Sequence, residues 1–122
     1  MGLMFFFDTY AFIELLKGNK NYLKFKITEF ATCRLNLMEV YYWLLNNYDK
    51  KFADSFYDEM SKYTIEISDE IIKEAMAFRV QNKSKKLSYV DCIGYVLAKI
   101  SGLKFLTGDI QFKEMENVEF VK

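Results

Sequence analysis

Carboxylates are the only abundant catalytic groups in this chain. It contains no histidine, so imidazole acid–base chemistry and Ser-His-Asp nucleophiles are excluded, and it has no glycine-rich phosphate loop. Cys33 and Cys92 are too far apart in sequence for the usual zinc spacings and read as two core thiols in a reducing compartment. Lys and Arg total 17 and balance 17 Asp and Glu, so no global positive field advertises a polyanion. A polyanionic partner would need a local patch or a metal. Four acids stand out from the rest: Asp8, Glu39, Asp91 and Asp109.

Each has an ordinary reading beside the chemical one. Asp8, in LMFFFDTYAF, follows an apolar run and precedes a helix, which suits an N-cap as well as a site. Asp109, in FLTGDIQF, stands beside Gly108 where a turn or cap is equally natural. Asp91, in KLSYVDCIGYVLAKI, lies three residues after Ser88, the spacing of a capping box, but the helix beyond it is apolar on most faces. Glu39 is the sharpest case, the sole charge in LNLMEVYYWLL. A fully buried Glu is rare unless paired or metal-bound. Glu14 and Glu66 also have apolar neighbours, yet Glu14 can pair with Lys17 and Glu66 suits the outward side of a strand. Glu39 has no such cation within a helical turn on either side.

The elements that must position these acids alternate in type. Strands are expected over Leu3 to Phe7, Phe30 to Cys33, Thr64 to Ile67, Leu103 to Leu106 and Val118 to Val121. Helices are expected over Thr9 to Lys17, Tyr22 to Lys26, Leu35 to Asn46, Asp49 to Tyr63, Tyr89 to Ile100 and from the Ser68 cap to about Asn82. Asp109 to Phe112 forms a short helical turn. Such alternation predicts an α/β fold around a mostly parallel sheet. The 122 residues, 52% hydrophobic and 18% aromatic, suit one domain spanning 1–122. No run is long enough to span a bilayer, and the first apolar run is broken by Asp8, so no membrane partner and a cytoplasmic location are expected.

In open parallel sheets ligands bind outside the carboxyl ends of the strands, where Asp8 and Asp109 both fall. If all four acids converge there, each like-charge pair at ~5 Å costs about 3 kcal/mol at an effective dielectric near 20. Six such pairs exceed the roughly 5–15 kcal/mol that stabilises a typical domain. Protonation or a divalent cation must relieve that repulsion. Ligands that offer only oxygen select Mg2+ or Mn2+. Such a centre activates water and shields a phosphodiester during in-line displacement.

The pieces FFFDT (Asp8, Thr9), NLME (Asn36, Glu39), SYVDCIGYVLAK (Asp91) and LTGDIQF (Thr107, Asp109, Phe112) together resemble the PIN domain, within it the VapC-type toxin ribonucleases. Their order and spacing span nearly the whole chain. The resemblance implies a three-layer α/β/α sandwich and a Mg2+ or Mn2+ site formed by Asp8, Glu39, Asp91 and Asp109. Thr9, Asn36 and Thr107 would orient those acids by hydrogen bonds. It further implies cleavage of an RNA substrate, a homodimer, and a cognate antitoxin that inhibits it. Some relatives carry another acid two residues after the last; here it is Gln111, which puts a fully occupied second metal site in doubt.

Lys83, Lys85 and Lys86 in KSKK precede the Asp91 helix and are candidates for RNA phosphates, although a solvated loop is the plainer reading. Tyr41, Tyr42 and Trp43 read as core or dimer interface before base-stacking residues. The stripe Phe52, Phe56 and Met60 suits core or an antitoxin groove. A haloacid-dehalogenase-like phosphatase needs a second acid two residues after the first, and that position is Tyr10. A receiver domain needs paired early acids, which are missing. The alternative that stays open is a catalytically inactive PIN-like module working through protein contacts.

Overall fold

The computed structural model describes residues 4–122, so Leu3, assigned above to the first strand, lies outside the described residues. The run MFFF forms β1, Met4–Phe7, followed by β2 (Glu29–Ala31), β3 (Lys104–Thr107) and β4 (Val118–Phe120). All pairings are parallel and the order is β2-β1-β3-β4. A strand buried on both faces needs an unbroken apolar run, and β1 supplies Phe5, Phe6 and Phe7.

Alternation along the strands divides the core in two. Phe6, Ala31 and Phe105 face one side and join Ala75, Cys92 and Val96. Phe5, Phe7 and Leu106 face the other and join Phe12, Leu37, Val40 and Ala53. The first cluster belongs to α4 (Asp69–Gln81) and α5 (Tyr89–Ile100). The second belongs to α1 (Thr9–Lys17), α2 (Arg34–Asn47) and α3 (Lys50–Met60). The result is the three-layer α/β/α sandwich.

The helices start where the sequence offers capping oxygens: Asp49 accepts from Phe52 N at 2.8 Å, and Ser68 from Ile71 N at 3.2 Å. Two elements differ from the sequence-based expectation. Residues 64–67 do not form a strand; Thr64 makes a single parallel bridge to Thr32. Thr32 lies one residue beyond β2, where its N–H and C=O are taken by Tyr63 O and Ile65 N. The chain then turns into α2 at Arg34, so no ladder remains for residues 65–67, of which Ile65 and Ile67 pack as side chains against the core. The short helix expected over Tyr22 to Lys26 is present but longer, Lys20–Ile27, wound as 3-10 turns that bury Tyr22 and Phe25 at their three-residue period.

Candidate active site

The strand order reverses between β1 and β3, and there the crevice at the carboxyl edge opens. Asp8 ends β1, is 5% exposed, and its backbone N–H reaches Leu106 O on β3. Its Oδ1 accepts from Ala11 N at 2.8 Å, capping α1. Asp109 follows β3 and caps the 3-10 turn Ile110–Phe112 by accepting from Gln111 N at 3.0 Å. Asp91 closes a capping box on α5: its Oδ2 accepts from Ser88 N at 2.9 Å, and Ser88 Oγ accepts from Asp91 N at 3.0 Å. Glu39, half-buried on α2, accepts from Thr9 Oγ1 at 2.5 Å. The capping readings of Asp8, Asp91 and Asp109 are therefore real bonds. In each case the cap engages a stated oxygen, Oδ1, Oδ2 and Oδ1 respectively.

The smaller polar residues serve these acids. Thr107, fully buried, lies close enough to the Asp8 carboxyl to favour its anion and accepts from Asp109 N at 3.1 Å, so one side chain neighbours both strand ends. Asn36 Nδ2 donates to Thr9 Oγ1 at 3.1 Å, and Thr9 in turn donates to Glu39.

Burial dominates the electrostatics. It pushes the Asp8 carboxyl up to about 8, against the Thr107 and Ala11 hydrogen bonds that favour the anion, and the charges of Asp91 and Asp109 push it further. Glu39 and Asp91 are also raised, each first by burial. Asp91 adds to the rise at Glu39, and Asp109 to that at Asp91. The four side chains therefore occupy one electrostatic neighbourhood. They do not form a tight cage: among the described residues, no three Asp, Glu or Cys side chains stand together closely enough to hold a metal ion. Each is tied to its own local donor, and repulsion favours separation. The donor chemistry still fits a hard divalent cation, since it is all oxygen and a buried carboxyl held near 8 lacks a compensating charge.

Other residues around the crevice were beyond local sequence reading. Gly108 admits no side chain, because a Cβ there would run into the Tyr10 ring and Val121 O. Lys122 Nζ donates to Gly108 O at 3.1 Å and lies 5.5 Å from the centre of the Tyr10 ring. TGD in the sequence hints at a tight turn, but nothing local points to Tyr10 or Lys122. Gln111 Oε1 faces Lys86 N at 3.4 Å, which brings the KSKK loop beside the Asp109 turn. Lys83 and Lys86 are exposed there, and Lys85 is half-buried. Tyr41 donates to Asp54 at 2.6 Å, while Tyr42 is 71% exposed. Glu14 pairs with Lys17 at 3.4 Å and Glu66 is solvated.

A small parallel α/β/α sandwich with a crevice at its switch point fits the class that the sequence model identifies. The chain belongs to the PIN-domain family, whose sequence model, "PIN domain", matches residues 5–118. No curated protein matches it by sequence. Among solved structures it resembles a toxin–antitoxin complex from Klebsiella pneumoniae, with TM-score 0.75, 22% identity, and 94% of this chain and 95% of that one covered. It also resembles VapC20 of Mycobacterium tuberculosis, a sarcin-ricin loop cleaving toxin, with TM-score 0.75, 14% identity, and coverage of 94% and 98%. VapBC2 of Rickettsia felis, bound to a DNA fragment from its promoter, gives TM-score 0.72, 17% identity, and coverage of 98% and 98%. At these identities the likeness is one of fold. No described helix is long and apolar enough to cross a membrane.

Proposed function

We propose that this protein is a Mg2+- or Mn2+-dependent endoribonuclease, the toxin of a VapBC-type toxin–antitoxin pair. The observation that carries the reading is the placement of Asp8 and Asp109 at the ends of adjacent parallel strands, coupled in charge to each other and to Asp91. Glu39 extends the acidic set through its coupling to Asp91. The family match and the toxin folds nearby support the nuclease class.

Asp8, Glu39, Asp91 and Asp109 would hold the cation. When bound, it offsets their charge, acidifies a water and shields the scissile phosphate. The chain's own groups do the positioning. Thr107 would hold the Asp109 turn beside Asp8, and Thr9 would fix the Glu39 carboxylate through its hydroxyl. A carboxylate oxygen not engaged in capping accepts the proton of the attacking water, which is aimed in line with the leaving 3′-oxygen. Lys83, Lys85 and Lys86 supply countercharge to RNA phosphates entering past Gln111.

An apolar groove of about 350 Å³ between α1, the Lys20–Ile27 turns and α3 suits the antitoxin; Leu15, Leu16, Phe25, Phe56 and Met60 line it, with Lys26 at its edge. Outward apolar residues on α2, Met38, Tyr42 and Leu45, support a homodimer contact. The test is cleavage of defined single-stranded RNAs with and without Mn2+. Parent protein should cut only with metal, and Asp8→Asn, folded by circular dichroism, should not cut. Equal cleavage by both, free of contaminating nuclease, sinks the reading in favour of a non-catalytic interaction module.

A further inference from the structure

A directed chain of hydrogen bonds runs from the core to Glu39, and its far end is a thiol. Cys33 Sγ donates to Asn36 Oδ1 at 3.1 Å, Asn36 Nδ2 donates to Thr9 Oγ1 at 3.1 Å, and Thr9 Oγ1 donates to Glu39 Oε1. Cys33 is fully buried and Asn36 is 2% exposed. Helix α5 closes over the amide: a Cβ on Gly94 would lie 3.5 Å from Asn36 Oδ1 and 3.2 Å from the Phe6 ring. The amide is therefore shut off from bulk solvent in the parent protein. Cys33 occupies the N-cap position of α2, where Ser, Thr, Asp or Asn usually accepts a backbone N–H. Its sulfur faces the N–H groups of Leu35 and Asn36 but makes no cap bond, as suits a weak acceptor. Its proton goes to the Asn36 side chain instead.

We propose that Cys33 is a positioning residue whose S–H sets the direction of this chain and so keeps the Thr9 hydroxyl donating to Glu39. An amide has two orientations, and its neighbours choose between them. With a thiol donor on one side, Oδ1 turns to Cys33 and Nδ2 to Thr9. Thr9 oxygen then receives a proton and must give its own to Glu39. In the flipped orientation Oδ1 would draw the Thr9 hydroxyl, and Glu39 would lose its only side-chain donor among the described residues. No buried side-chain N or O atom among the described residues lacks a partner, so removing the thiol orphans an acceptor that now has one.

This inference rests on Glu39 being a metal-site acid, so the test separates the two. The Asn36 side-chain amide resonances are followed by NMR in metal-free protein, and Mn2+ affinity is measured by electron paramagnetic resonance, for parent, Cys33→Ser, Cys33→Ala, Thr9→Val and Cys33→Ala/Thr9→Val. Cys33→Ser keeps a donor and should keep both signatures. Cys33→Ala should move the Asn36 resonances and weaken Mn2+ binding by about three- to tenfold, below the 10–100-fold typical of a direct ligand-orienting partner. In the Thr9→Val background the same change should add nothing, because the path to Glu39 is already cut. If Cys33→Ala does not fold, Cys33→Val, which fills the space without a donor, takes its place. Unmoved Asn36 resonances, or an undiminished Mn2+ effect in the Thr9→Val background, would overturn the proposal. If the parent itself fails to bind Mn2+, the metal reading falls. The Asn36 resonances then decide the thiol's role alone.

Discussion

A carboxyl buried at the end of a strand stays protonated unless something compensates its charge, and Asp8 is so placed, held to about 8 chiefly by burial. An unfolded chain releases the same proton near pH 4. Between those values the folded state binds more protons at this group than the unfolded one, so the contribution of Asp8 to stability is full below about pH 4, falls as pH rises toward 8, and then levels off. Asparagine keeps the cap on Ala11 N without the charge. In EDTA at pH 8, Asp8→Asn should therefore be more stable than the parent, by on the order of a few kcal/mol, with the gain cut by more than half at pH 5. Urea unfolding at the two pH values checks this; a parent equally stable at both would show that Asp8 ionises freely. The residue also shows why its role was only half legible. An N-cap and a site acid present the same letter before a helix, and Asp8 uses one oxygen for capping. What separates the roles is burial beside Thr107 and the nearness of Asp109, which no local window contains.

At the scale of elements, three of the four acids sit where a helical segment begins, so helix starts are what aim the site. The capping box on α5 divides its work: Ser88 Oγ satisfies Asp91 N, and Ser88 N holds Asp91 Oδ2. Ser88→Ala removes the first bond and leaves the second. It should cost about 1 kcal/mol, roughly 3–6 °C in melting temperature for a domain of this size, with Mn2+ affinity little changed. Gly108→Ala is a different lesion, since the added Cβ collides with Tyr10 and with backbone at Val121. The loop carrying Asp109 must shift, so both melting temperature and Mn2+ affinity should fall; calorimetry and Mn2+ titration of the two variants distinguish a cap from a positioning turn. Helix starts were legible because capping chemistry is local, and Ser68 and Ser88 both act as their spacing suggests. TIEI was not, because its alternation is that of a strand while its partner, Thr32, is two residues from the start of a helix. Strand pairing depends on what lies alongside.

For the whole molecule, the sandwich buries β1 between two aromatic-rich clusters and leaves its carboxyl edge as the place where charge accumulates. That edge is a source of strain in the metal-free protein, because Asp8, Glu39 and Asp91 are all held above their ordinary range by burial and by one another. A cation that binds only the folded state stabilises it by mass action, about 2.7 kcal/mol at a hundredfold excess over its dissociation constant. Binding also requires the carboxylates to be ionised, so it must displace the proton that Asp8 holds up to about pH 8. The rise in melting temperature on adding millimolar Mn2+ should therefore be small at pH 6 and grow steadily to pH 8, be reversed by EDTA, and vanish in Asp8→Asn. Metal-free stability moves the opposite way over the same interval, so the two melting curves should converge at low pH and separate at high pH. Differential scanning calorimetry across that range measures both. A Mn2+ shift that does not depend on pH, or that survives Asp8→Asn, would place the cation away from this edge of the sheet and leave Asp8 as a cap alone.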